Sequence, residues 1–120
     1  MFKTKRVYEE PSKADGFRVL VERLWPRGLT KERAKLDLWL KEVAPSPELR
    51  KWYAHEVSRW NQFRQRYLAE LETKSNEIGA LLEKGKRGTV TLLYAAHDQD
   101  HNSALLLKEH LEKLAAAASR

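Results

Sequence analysis

Thr89-Val90-Thr91-Leu92-Leu93-Tyr94-Ala95-Ala96-His97-Asp98-Gln99-Asp100-His101-Asn102 is the stretch on which the fold turns. From Thr89 to Ala95 the residues are apolar or β-branched and do not alternate with polar ones. That is the pattern of a strand covered on both faces. The polar remainder leads into a helix running to about Ala117, with Asp98, Asp100 or Asn102 available as its cap. Leu105, Leu111 and Leu114 are its expected buried side. A doubly covered strand followed by a helix points to the α/β class.

Working outward, a second strand lies in Gly16-Phe17-Arg18-Val19-Leu20-Val21-Glu22-Arg23-Leu24-Trp25-Pro26-Arg27-Gly28. Phe17, Val19 and Val21 alternate with Arg18, Leu20 and Glu22. Helices separate it from the Thr89 strand, so the two can run parallel through a right-handed crossover. A weaker strand spans Lys3 to Tyr8. The turn chemistry from Glu9 to Gly16 then leaves a link shorter than the roughly dozen residues of a parallel crossover. If those two strands pair directly they are antiparallel. The expectation is one small α/β domain over residues 1–120, with a short mixed sheet flanked by helices.

The intervening helices follow from spacing. Leu36, Trp39, Leu40 and Val43 form a helical stripe that Ala44-Pro45-Ser46-Pro47 stops. Ser46 as N-cap and Pro47 at the first helical position start a short helix to about Tyr53. A longer helix begins near Val57, with Trp60, Phe63, Tyr67 and Leu71 on one face. Ile78, Leu81 and Leu82 continue helix to Lys84, with Gly85 as the C′ residue.

Composition narrows the function. The chain has 120 residues, 42% hydrophobic and 33% charged, enough apolar material for one core. It has no cysteine, which excludes disulfides, a thiolate nucleophile and cysteine metal ligands. Met1-Phe2-Lys3-Thr4-Lys5-Arg6 leads into no apolar h-region and no membrane span is visible. A cytoplasmic location without a membrane partner is expected. The net charge of +6 suits an anionic small molecule or nucleic acid, and equally a plain solvated surface.

Two segments carry candidate chemistry. In Arg23-Leu24-Trp25-Pro26-Arg27-Gly28, Pro26 holds Trp25 extended and Gly28 relaxes the backbone. This geometry aims Arg27 at a cleft, where guanidinium groups bind phosphate or carboxylate. A rigid strand end with Trp25 in the core is the plainer alternative. In the Tyr94–Asn102 segment, His97 and His101 titrate near neutrality and Asp98 can orient either. The following helix presents free N–H groups, which Asp98 or Asp100 can instead cap. Ligands of open α/β sheets sit outside the carboxyl ends of the strands.

The expected site therefore binds a phosphorylated or other anionic small molecule through Arg23, Trp25, Arg27, Gly28, Tyr94 and Asn102. His97, His101 and Asp98 supply any acid–base chemistry, and whether there is turnover stays open. His97 and His101 straddle a loop–helix boundary without a His-Glu-x-x-His pattern, so no metal is expected. No cofactor motif is present. The alternative is a nucleic-acid-binding or regulatory protein using Lys51, Arg59, Arg64 and Arg66 on a basic helix face.

The same residues resemble the YeaO-like branch of the bacterial domain-of-unknown-function 488 family. The matching stretches are Lys5-Arg6-Val7-Tyr8 and Asp15 to Gly28, with Leu-Trp-Pro-Arg-Gly at 24–28 the most specific. Others are Leu36-Asp37 with Trp39, Ala44-Pro45-Ser46, Phe63-Arg64 with Tyr67, and Thr91-Leu92-Leu93-Tyr94-Ala95-Ala96 with His101-Asn102. The resemblance implies a compact cytoplasmic α/β domain of uncharacterised function. Wider relatives resemble thiol enzymes, with a cysteine near the position of Tyr94 and a Cys-His-Arg run near His101. This chain has neither.

Overall fold

The computed structural model describes residues 1–118. Strand β4, Val90–Tyr94, is buried at every position. It lies between β1, Phe2–Arg6, and β2, Phe17–Leu20. Phe2 pairs with Val90 and Arg6 with Tyr94, while Phe17 also pairs with Val90 and Leu20 with Leu93. A two-residue strand β3, Leu38–Trp39, closes the other edge beside Val19 and Leu20. The order is β1-β4-β2-β3 and every pairing is parallel.

The class is α/β, and the sheet is parallel where the short first link had pointed to a mixed one. The reason is distance. The link from Val7 to Gly16 can span roughly 30 Å when extended. It has to return along a strand of roughly 17 Å and pass over one neighbour, about 10 Å away. No crossover helix is needed, only the single turn at Lys13–Asp15.

The helices are α1 (Lys31–Ala34), α2 (Pro47–Tyr53), α3 (Trp60–Leu71), α4 (Ser75–Arg87) and α5 (Ser103–Ala118). On one face of the sheet, Phe2, Val19, Val21, Val90, Leu92 and Tyr94 meet the apolar sides of α2 to α5. On the other, Val7, Leu20 and Leu93 meet Leu29, Ala34, Trp25 and Trp39. This second cover is thin, little more than the 24–36 segment.

Three expected elements change. Leu36, Trp39, Leu40 and Val43 do not form a helix. Leu36 and Trp39 pack on the thin face and Leu40 and Val43 on the thick one. The open edge of β2 captures the segment, with Asp37 N–H donating to Arg18 O and Leu40 N–H to Leu20 O. Gly85 is not a C′ residue but lies inside α4, where the Phe2 ring fills the place of a Cβ. In α5 the buried side is Ala104, Leu106, Leu107 and Leu111, with Leu114 exposed. Asn102 sets that phase by accepting the Leu105 N–H at 2.9 Å. The Ser46 cap and Pro47 start of α2 are as read, Ser46 Oγ accepting the Leu49 N–H at 3.1 Å.

Candidate functional site

The carboxyl ends of β1, β4 and β2 carry a concentrated set of polar groups. Pairing of β2 with β4 ends with the Val21 N–H donating to Leu93 O. One step further, the Glu22 carboxylate accepts the Ala95 N–H at 2.9 Å, in place of another ladder bond. The Glu22 carbonyl accepts Trp39 Nε1–H at 2.6 Å, which fixes its backbone. Burial raises the Glu22 carboxyl above its ordinary value, against the pull of the Ala95 N–H, Arg50 and His55.

Two guanidinium groups flank this edge. Arg6, at the end of β1, donates from Nε to Ala96 O at 2.9 Å and from a terminal nitrogen to Ala95 O at 3.4 Å. It also lies over the Tyr8 ring. Arg23, just beyond β2, donates to Pro45 O at 3.2 Å and to Ala44 O at 3.1 Å. Both are half-buried. Among the described residues, neither forms an ion pair with a carboxylate.

The entrance to α5 is built around Asp98. Its Oδ1 accepts the N–H groups of Asp100 (2.9 Å) and His101 (3.0 Å), and Oδ2 lies 3.0 Å from His101 Nδ1. The Asp100 N–H, then His101, hold this carboxyl below its usual range. The His101 ring meets Trp60 edge-on, with centroids 5.1 Å apart. Trp60 in turn contacts Tyr53, which contacts His55. Ala54 and His55 have φ of 46° and 58°, two consecutive left-handed residues at the end of α2. Burial pushes the Tyr53 and Tyr94 phenols up, with Asp98 adding to both.

Each sequence-predicted residue has a definite place. Arg23 and Arg27 do not converge. Arg23 turns to the 44–45 carbonyls, whereas the Arg27 carbonyl accepts Tyr8 O–H at 2.8 Å and its side chain is exposed. Trp25 belongs to the thin-face core, bonding Leu29 O at 2.7 Å and meeting Trp39 edge-on. Gly28 provides a positive φ of 75°. Asn102 spends its amide on the Leu105 N–H and on the carbonyls of Asp98 and Gln99. Tyr94 is buried below the loop, and His97 is exposed on it. Asp98 and His101 do come together, as an oriented pair.

Arg6, Glu22 and Arg50 are the residues that sequence reasoning passed over, while His55 beside Tyr53 reads from sequence as a helix-entry residue or a site component. Arg6 and Glu22 had a usable signal, because Arg6 is the charged last residue of β1 and Glu22 is the first charged residue after β2. A separate recess of about 210 Å³ opens beside Tyr8, Glu9, Glu32, Arg33 and Lys35 on the thin face. It is smaller than the roughly 300 Å³ at which ordinary ligand pockets begin.

The chain is thus a parallel α/β domain with polar groups gathered at the carboxyl edge of its sheet. The family model described as the inactive DUF488-N3 subclade matches residues 1–119, and the chain belongs to that family. It is 46% identical over 110 residues to the uncharacterized protein YeaO of Escherichia coli, covering 92% of this chain and 96% of that one. It is 40% identical over 106 residues to the uncharacterized protein Rv3073c of Mycobacterium tuberculosis, covering 88% and 89%. No solved structure matches. No helix among the described residues is long and apolar enough to cross a membrane.

Proposed function

We propose that the carboxyl edge of the sheet binds a small molecule bearing a phosphate or carboxylate, and that binding rather than turnover is its role. The observation that carries this reading is the pair Arg6 and Arg23. Both are half-buried and bonded to backbone carbonyls, and among the described residues neither side chain is in an ion pair. A guanidinium already fixed in place loses little freedom when an anion arrives, and its remaining N–H groups can bond in pairs. Arg50 adds charge beside Glu22. His101, with Nδ1 engaged by Asp98, offers Nε2 as a further polar contact. The description of the subclade as inactive and the absence of any cysteine favour binding without chemistry.

The test is a thermal-shift titration with inorganic phosphate, nucleoside monophosphates and dicarboxylates. Arg6 and Arg23 also hold the fold, so the variants are compared by their ligand-induced shift and not by baseline melting temperature. A ligand that binds only the native state raises that temperature with concentration. Arg6→Gln, Arg23→Gln and Arg50→Gln are each expected to reduce the shift, while Arg27→Ala retains it. A shift unchanged in both Arg6→Gln and Arg23→Gln, or none with any anion, overturns the reading.

A further inference from the structure

We propose that the outer face of α2 and α3, built on Trp52, Arg59 and Arg66, is a docking surface for single-stranded nucleic acid. This inference is independent of the carboxyl-edge reading. Trp52 is half-buried against the thick-face core. The Arg66 guanidinium lies 4.2 Å from the centre of its ring and that of Arg59 lies 5.4 Å away. Arg59 also donates to the Trp52 carbonyl. Two guanidinium groups are thus gathered on one indole, with Lys51 exposed on the same helix as the indole. Gln62 and Arg66 share a face of α3, and Arg59 immediately precedes that helix.

Charge is the second argument. Arg64, on the same helix, is paired with Glu109 at 3.0 Å. Among the described residues, Lys51, Arg59 and Arg66 have no ion pair. The exposed acids of the same segments, Glu48 and Glu56, form no ion pair with them among the described residues. Two guanidinium groups on one aromatic ring, with the exposed Lys51 on the adjoining helix and a chain net charge of +6, suit a polymer that alternates phosphates with flat bases. The guanidinium groups meet phosphates through paired N–H donors. The Arg66 guanidinium covers the indole, and its outer plane offers an unpaired base a stacking surface that tolerates any sequence. A duplex hides its base faces and leaves that layered surface without a partner. An isolated phosphate uses the cations but not the ring.

The experiment is fluorescence anisotropy of a labelled oligo-dT strand against the full chain, between about 50 and about 200 mM salt. Three phosphate contacts give a log–log salt slope of about −2, at about 0.7 per contact on single strands. Arg59→Gln combined with Arg66→Gln is expected to flatten the slope by roughly 1.4 and weaken binding. Trp52→Phe keeps an apolar ring in the core and should remove the tryptophan quenching that accompanies binding. Circular dichroism checks that each variant is folded. Arg23→Gln should leave dT binding intact, which separates this surface from the carboxyl edge. Four results overturn the proposal: no saturable binding at low salt, binding unaffected by the double variant, duplex bound more tightly than single strand, or anionic vesicles bound in its place. Phosphate competing no better than chloride at equal ionic strength supports the polymer over the free anion.

Discussion

Glu22 stands where the pairing of β2 with β4 stops, and its carboxylate takes up the next N–H of β4. This bond favours the ionised form and burial opposes it, with burial the larger effect. The folded-state value is therefore raised above the ordinary 4.5. The stability that Glu22 contributes is full below the unfolded value and is lost as pH rises through the folded one. Glu22→Gln keeps an oxygen for the Ala95 N–H and removes the titration. The variant should show a higher urea midpoint than the parent near neutral pH, and the advantage should close below about pH 4.5. A difference that stays constant with pH would show that the carboxyl is not perturbed by its site.

At the scale of elements, α4 contains two glycines with opposite reasons. Gly79 is exposed, and a Cβ there would meet nothing within 4 Å. Alanine in a helix interior is favoured over glycine by about 1 kcal/mol, so Gly79→Ala should stabilise by about that amount. Gly85 has the same helical benefit available, but an added Cβ would stand 2.5 Å from the Phe2 ring. That ring is buried in the thick-face core and must shift out of its packing to admit the methyl group. Gly85→Ala should therefore melt below the parent and Gly79→Ala above it, in calorimetry under one buffer. Equal stabilisation by both would mean that the Phe2 contact is loose.

The whole molecule is tied on its thin face through Asp15. Its carboxylate accepts from Lys5 on β1, from Ser12 in the link and from Arg18 on β2. Arg18 continues to the Ala34 and Lys35 carbonyls at the end of α1. The Asp15 carbonyl accepts Thr91 O–H from β4. Burial alone would raise the Asp15 carboxyl. The Ser12, Lys5 and Arg18 bonds outweigh it and bring it from 3.8 to about 2. Its stabilisation is thus present above the unfolded value and is lost as pH falls toward about 2. Asp15→Asn leaves the buried Arg18 without its counter-charge and should cost about 3 kcal/mol in urea unfolding. It should also flatten the acid limb between about pH 4 and about pH 2. An unchanged acid limb would move that sensitivity to other carboxylates.

By itself the sequence determined what local chemistry can state. The doubly buried strand at 90–94, the Ser46-Pro47 start of α2, the aromatic stripe of α3 and the pairing of Asp98 with His101 all depend on residues close in the chain. Short-range spacing and capping encode such features directly. Tertiary structure alone decided the rest. It made Leu38–Trp39 a strand, because the open edge of β2 offered hydrogen bonds that a helical stripe could not foresee. It placed β4 between β1 and β2, since that order buries the most apolar strand on both sides. It also sent Arg23 and Arg27 to different surroundings and brought Arg6 and Glu22 to the Ala95–Ala96 turn. These outcomes depend on contacts between residues far apart in the chain, and no window of sequence contains both partners.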